Sequence, residues 1–101
     1  MSETDPVTKP QYRSTLGIIR DILQACMDSG ASGTLISEVS RKANLSHYAA
    51  LDNCRRLAQA GLLTTFRTRR NNIFAITEKG IRFYQEFERF HEIAKELKIR
   101  Y

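Results

Sequence analysis

Three arginines close together in the second half of the chain are the residues best suited to chemistry with another molecule. Arg67, Arg69 and Arg70 lie within four positions, and no acidic residue occurs between Asp52 and Glu78. A guanidinium is planar, permanently charged and able to donate two parallel hydrogen bonds to a phosphate. We therefore expect this segment to contact a polyanion, and a charged turn that only keeps the surface soluble is the alternative.

The sequence around these arginines predicts a β-hairpin. Leu62–Phe66 and Ile73–Ile76 are rich in β-branched and aromatic residues, as strands favour. Between them, Asn71 and Asn72 supply side chains that are common in turns. The arginines would then lie at the tip of a hairpin, positioned to reach phosphates or a minor groove.

Three helices are predicted before the hairpin, because apolar residues recur there at spacings of three and four. The first begins after Ser14, which can cap it, and ends at Gly30. The second begins at the N-cap Thr34, and the third begins at the N-cap Ser46 and runs to about Ala60. These helices should bring their apolar faces together in one core.

Only Asn44-Leu45-Ser46 separates the second and third helices. A link this short forces the two axes to cross steeply, which is the geometry of a helix-turn-helix. In the third helix Leu51, Cys54 and Leu57 occupy one side, which leaves a polar and mainly basic outer face suited to the major groove of DNA. That outer face contains Tyr48, Asp52, Asn53, Arg55, Arg56 and Gln59.

The predicted DNA contacts fall into three sets. Base edges would meet the start and middle of the third helix, phosphates would meet its basic end, and the hairpin would form a third contact. Arg55 and Arg56 have the alternative of shielding the end of the helix, and His47 that of a solvated side chain. The residues are Ser46, His47, Tyr48 and Asn53 for bases, Arg55 and Arg56 for phosphates, and Arg67, Arg69, Arg70 and Asn71 for the hairpin.

The last predicted helix begins at the N-cap Thr77, runs to the C-terminus and carries a heptad pattern. Its apolar residues recur at alternating spacings of four and three, as in a coiled coil. The stripe could pack on the first helix, as we expect for Ile81 and Tyr84, but its later part predicts a homodimer with antiparallel helices. The predicted dimer residues are Phe83, Phe87, Phe90, Ala94, Leu97 and Tyr101.

Length and charge agree with a small DNA-binding chain. The 101 residues suffice for one core, and the formal net charge is +5. Residues 34–82 contain nine Lys and Arg against three Asp and Glu, so the positive charge is concentrated there. We predict a flexible arm at 1–12, a DNA-binding domain at 13–80 and a dimerisation helix at 81–101.

Other classes of function find no support in the sequence. Cys26 and Cys54 lie at apolar helix positions and are expected to be buried, reduced thiols. No metal-ligand spacing, catalytic constellation or phosphate-binding loop occurs, so we expect no catalytic residue, metal or cofactor and no enzymatic activity. No apolar run is long enough to span a bilayer, which predicts a cytoplasmic protein associated with the nucleoid and not with membranes.

Three segments carry a resemblance to a known family. GTLISEVSRKANLS, RRLAQAGLL and FAITEKG, together with the long last helix, resemble small archaeal winged-helix DNA-binding proteins over residues 13–101. The resemblance implies an elongated dimer in which an antiparallel coiled coil holds two winged helices apart.

Together these observations predict a mainly α (α+β) fold, a winged helix-turn-helix with a long C-terminal coiled-coil helix. The expected function is binding of double-stranded DNA as a homodimer, by a transcriptional regulator or a nucleoid-associated protein. The alternative is a winged-helix module that binds other proteins without direct DNA contact. A ligand-sensing regulator is disfavoured because the chain has no further domain for an effector, so no small-molecule ligand is expected.

Overall fold

The computed structural model describes residues 14–98, in which the α-helices pack against a three-stranded antiparallel sheet. The arm predicted at 1–12 and the dimer residue Tyr101 lie outside the described residues. The winged-helix architecture predicted from the sequence is confirmed. In chain order the elements are α1 (Thr15–Ser29), β1 (Thr34–Leu35), α2 (Ile36–Ala43), α3 (His47–Gln59), β2 (Leu63–Arg67), β3 (Asn72–Ile76) and α4 (Glu78–Glu96).

Helix α1 passes through the centre of the core. The Ser14 Oγ accepts a hydrogen bond from the Gly17 backbone N–H at 3.0 Å, which caps the helix as predicted. The helix ends at Gly30, whose φ of 69° is readily adopted only by glycine. Between these ends, Ile22 and Leu23 are completely buried against α2, α3 and the sheet.

The link between α2 and α3 has the predicted geometry of a helix-turn-helix. Asn44 adopts the left-handed conformation, with φ 55° and ψ 54°, and ends α2. The Ser40 side chain fixes the turn because its hydroxyl donates to the Leu45 carbonyl at 2.6 Å. Ser46 then caps α3 by accepting the Ala49 N–H at 3.0 Å.

The prediction that Thr34 caps α2 is wrong. Thr34 and Leu35 instead form the short strand β1, which pairs with Phe74 and Ile73 of β3. Helix α2 begins one residue later, and its N-cap residue Leu35 makes no side-chain capping bond. A strand of two residues has no detectable periodicity, so only the pairing partner on β3 reveals it.

The hairpin was predicted correctly, but β2 is displaced by one residue and β3 begins one residue earlier than predicted. Leu62 is not in β2, because its N–H bonds to the Leu57 carbonyl at 2.9 Å and closes the end of α3. Arg67 and Asn72, assigned to the turn from the sequence, face each other as the last pair of the β2–β3 ladder. The sheet order is β1-β3-β2, so β2 is an edge strand and forms the outer strand of the hairpin.

Helix α4 begins close against the start of the hairpin. The Thr77 Oγ1 accepts the Gly80 N–H at 3.0 Å, as a cap should, and donates to the Gly61 carbonyl at 2.6 Å. A Cβ on Gly80 would lie 2.1 Å from the Leu62 carbonyl oxygen, so this contact requires glycine. The sheet and α4 are therefore held together at their junction.

Farther along, α4 packs against α1. The Arg20 Nε donates to the Glu88 Oε2 at 2.5 Å, and this bond raises the pKa of Arg20. One turn away, the Tyr84 hydroxyl bonds to the Gln24 side chain, and Tyr84 lies against the core as predicted. These contacts fix which face of α4 is turned towards the domain.

The prediction that α4 continues to Tyr101 is wrong, because the helix ends at Glu96. Lys98 has a φ of 60°, outside the helical region. The N–H groups of Leu97 and Lys98 bond to the carbonyls of Ile93 and Lys95, which satisfies acceptors at the end of the helix.

Both cysteines are buried and unpaired by disulfides, as predicted. Burial raises the pKa of Cys26 to about 11 and that of Cys54 to about 12. The protonated thiols pack as small apolar side chains at neutral pH. No helix within residues 14–98 is long and apolar enough to cross a membrane.

Candidate nucleic-acid interface

Helix α3 is held in the core by one face and presents the other outwards. Ala50, Cys54 and Leu57 recur at spacings of four and three and are all buried. They pack against α1, α2 and the sheet, so the opposite face of α3 is directed away from the core. Tyr48, near the start of that face, is 77% exposed.

Two of the side chains predicted to contact DNA are already engaged within α3. The Asn53 Nδ2 donates to the Ala49 carbonyl at 2.9 Å, and the Arg56 Nε pairs with the Asp52 Oδ2 at 3.2 Å. Both contacts span one helical turn and orient the side chains along the helix. Asp52 therefore offsets part of the positive charge that Arg56 brings to this surface.

The first turn of α3 is the most exposed part of the predicted base-contacting surface. Ser46, His47 and Tyr48 are all exposed there. Ser46 has a structural role as the N-cap, because its Oγ accepts the Ala49 N–H. Its hydroxyl proton is still available for donation to another acceptor.

The hairpin, which we call the wing, has two of its three arginines at the tip as predicted, while the third lies in a strand. Thr68 and Asn71 close its turn through the bond from the Thr68 N–H to the Asn71 carbonyl at 2.9 Å. Arg69 and Arg70 occupy the two positions between them and are exposed. Arg67 lies lower, in β2, where its Nη1 donates to the Asn72 Oδ1 at 3.4 Å.

A cleft of about 320 Å³ separates α3 from the wing. Arg55 and Gln59 line it from α3, while Thr65 and Asn72 line it from the two strands. Of these four residues, only Arg55 was predicted from the sequence to contact DNA. The period of two along β2 was the available signal, because it places Thr65 on the same face as Arg67.

The predicted dimer residues do not share one environment. Phe87 and Ala94 are buried within the chain, at 7% and 2% exposure, while Phe83, Phe90 and Leu97 are exposed. The apolar face of α4 is therefore wider than a coiled-coil seam, and only part of it remains uncovered.

Ile93 belongs to the uncovered part and was missed by the sequence analysis. It is 52% exposed and follows Phe90 by three residues, a spacing that places both on one side of the helix. The Phe87 and Phe90 rings lie 6.4 Å apart and so connect the covered and uncovered parts. We call the uncovered part the α4 strip; it consists of Phe83, Phe90, Ile93 and Leu97.

The described residues contain no group of three or more His, Cys, Asp or Glu side chains that could hold a metal ion. The exposed surface contains two regions of different chemistry. The face formed by α3 and the wing is polar and basic, and the α4 strip is apolar.

Several solved structures are similar to this chain over most of its length. The DNA-binding protein Sso10a-2 from Sulfolobus solfataricus is 28% identical, with a TM-score of 0.75, over 85% of this chain and 86% of that one. AF1382 from Archaeoglobus fulgidus is 17% identical, with a TM-score of 0.67, over 79% of this chain and 89% of that one. The second likeness concerns the fold alone.

A further solved structure is that of a variant of MepR from S. aureus bound to an oligodeoxyribonucleotide. It is 15% identical, with a TM-score of 0.67, over 79% of this chain and 61% of that one, and it also shows the fold alone. No curated protein sequence was found to match significantly.

The sequence profile of winged helix-turn-helix proteins matches residues 12–95, most of the chain. That range includes α3, the wing and nearly all of α4, so the match covers the α4 strip except for Leu97. The fold is one typical of non-enzymatic regulators. The chain belongs to the winged helix-turn-helix family, and its fold is that of DNA-binding proteins and MarR-like transcription regulators.

Proposed function

We propose that the protein binds double-stranded DNA as a homodimer and acts as a transcriptional regulator. The proposal of DNA binding rests on one observation. The outer face of α3 and the arginine tip of the wing are both exposed, and together they form a basic surface. Helix α3 enters the major groove, and Arg69 and Arg70 reach the neighbouring minor groove or its phosphates. The likeness to Sso10a-2 supports this assignment.

The contacts divide into those that position the protein and those that read sequence. His47 and Tyr48 at the exposed start of α3 meet base edges, with Ser46 holding the helix end in place. Arg55 and the wing arginines take phosphates, and Asn71 contributes at the tip. Asn53 and Arg56 reach DNA only after exchanging their present partners within α3.

The wing is tested by replacing Arg69 and Arg70 with Ala and measuring duplex affinity across a salt series. Each lost phosphate contact should lower the slope of log K against log salt by about 0.9. The double variant should therefore bind more weakly and depend less on salt. A matched control, Arg82→Ala with Lys95→Ala, removes the same charge from α4 and should leave most of the salt slope intact.

The proposal of a homodimer is supported by the exposed apolar side chains of the α4 strip. Phe90 and Leu97 are 48% and 64% exposed, and a helix that presents such side chains in a row favours a partner helix. Because Phe90 lies midway between Phe83 and Leu97, antiparallel helices would place Phe83 of one copy against Leu97 of the other.

Cross-linking tests that arrangement. A mixture of Phe83→Cys and Leu97→Cys proteins should form a mixed disulfide if the helices are antiparallel, whereas Leu97→Cys alone should cross-link if they are parallel. Cys26 and Cys54 are buried and so should not interfere. A protein that sediments as a monomer at micromolar concentration would contradict the homodimer in either orientation.

A dimer that shifts no duplex at low salt would contradict the DNA proposal and favour the protein-interaction module. If DNA does bind, footprinting separates the remaining roles. Discrete protected sites indicate a regulator, and continuous coverage indicates a nucleoid-associated protein.

A further inference from the structure

The cleft between α3 and the wing contains hydrogen-bond donors from both elements. Arg55 and Gln59 are four residues apart on α3 and so lie on the same side of the helix. Across the cleft are the Thr65 hydroxyl and the Asn72 amide, and Phe74 contributes an apolar wall. Among residues 14–98, no carboxylate lines the cleft, and the chemistry of its walls favours an anion that accepts several hydrogen bonds.

A hydrogen bond within the wing orients one of these donors. The Asn72 Oδ1 accepts from the Arg67 Nη1 at 3.4 Å. With the oxygen of the amide engaged in this way, the Nδ2 is the end left to donate elsewhere. Arg67 thereby adds a second positive charge beside the cleft, in addition to Arg55.

The pairing of the strands shows which residues share the cleft side. Thr65 pairs with Phe74, and Arg67 pairs with Asn72. Because side chains alternate along a strand, Thr65 and Arg67 lie on one face of the sheet, and Thr64 lies on the other. Thr64 is exposed like Thr65, so the two threonines differ mainly in the face they occupy.

We propose that this cleft holds a backbone phosphate of bound duplex DNA, on the strand that separates the groove entered by α3 from the groove reached by the wing. This inference rests on the proposed DNA binding. A protein that occupies adjacent major and minor grooves must cross the intervening strand, and the cleft is the gap between the two elements that do so. Gln59, Thr65 and Asn72 are then phosphate-binding residues beside Arg55.

The position of the only acid on α3 is compatible with this assignment. Asp52 is paired with Arg56 and is not among the residues that line the cleft. A phosphate in the cleft would therefore meet Arg55 rather than the Asp52–Arg56 pair. The bond from Arg67 to Asn72 fixes the opposite wall before DNA arrives, which limits the reorganisation that binding requires.

The test compares charges introduced at Thr65 and Thr64 in the full-length protein. Thr65→Asp places a carboxylate beside the phosphate and should weaken binding of a 20-base-pair duplex about tenfold or more at low salt. Thr64→Asp makes the same change in net charge on the opposite face and should have a much smaller effect. Thr65→Lys should strengthen binding and steepen its salt dependence relative to Thr64→Lys.

A second measurement does not depend on any variant. The side-chain amide resonances of Gln59 and Asn72 should shift in the NMR spectrum when duplex is added, and that of Gln85 on α4 should not. Equal effects of the two Asp variants, or unshifted Gln59 and Asn72 resonances in the complex, would overturn the phosphate site while leaving DNA binding intact. If the unaltered protein binds no duplex, both proposals fail.

Discussion

The face formed by α3 and the wing and the α4 strip are both exposed, but they differ in what the surrounding structure does to them. On α3, polar side chains make local contacts, such as Asp52 with Arg56 and Asn53 with the Ala49 carbonyl. On the α4 strip, Phe90 and Leu97 retain large exposed apolar areas. The first surface suits a hydrated, charged partner and the second an apolar one.

This difference means that two separate measurements report on the two regions. Contacts with phosphates weaken as the salt concentration rises, because the release of counterions from the DNA becomes less favourable, whereas apolar association depends on protein concentration and little on salt. A change in one region should therefore move one measurement and leave the other in place.

The largest expected effect is a loss of stability that distinguishes the buried residues of α4 from the exposed ones. Phe87→Ala removes a side chain that is 7% exposed, and should lower the free energy of unfolding by about 3–5 kcal/mol. Phe90→Ala removes one that is 48% exposed, and should cost less than about 1 kcal/mol in dilute, monomeric protein. Urea unfolding at low protein concentration measures both, and equal losses would show that the two residues do not differ as described.

The next effect concerns association. Replacing Phe90 and Leu97 together with Ser should weaken the proposed dimer about 100-fold or more, because each copy loses two apolar contacts. Sedimentation at several concentrations measures this change. The Arg69→Ala and Arg70→Ala double variant is the control from the other region, and it should dimerise like the unaltered protein. If the control variant also lost its dimer, the two surfaces would not act independently.

The smallest expected effect concerns the one negative charge on α3. Asp52→Asn removes the carboxylate that pairs with Arg56, so duplex affinity at low salt should rise by a few-fold. The increase should shrink at high salt, where exposed charges are screened. Glu96→Gln at the end of α4 is the matched control; an equal increase there would assign the effect to net charge alone.

Much of the fold could be predicted because its signals are local. Ser14, Ser46 and Thr77 cap their helices as expected, and Asn44 takes the left-handed conformation that ends α2. Caps and turns depend on side chains that bond to backbone groups a few residues away, so the sequence carries them directly. The prediction failed at Thr34, whose partner Phe74 is forty residues distant along the chain.

The candidate sites show the same division. The exposure of Arg69 and Arg70 followed from turn-forming residues and a run without acids, both of which are visible in the sequence. Gln59, Thr65 and Asn72 could not be grouped in advance, because they meet only where α3 faces the wing. Nor could the heptad pattern show that Phe87 is buried and Phe90 about half exposed.

The winged helix-turn-helix, the basic wing and an apolar face on the last helix could all be predicted from the sequence, since they depend on periodicity, capping and residue type. Which part of that apolar face is buried inside the chain depends on the packing of α4 against the rest of the domain. The tertiary structure also formed the cleft between α3 and the wing and placed Arg67 and Asn72 in one strand pair. These features depend on contacts between residues distant in sequence, and such contacts exist only once the core around α1 has brought the elements together.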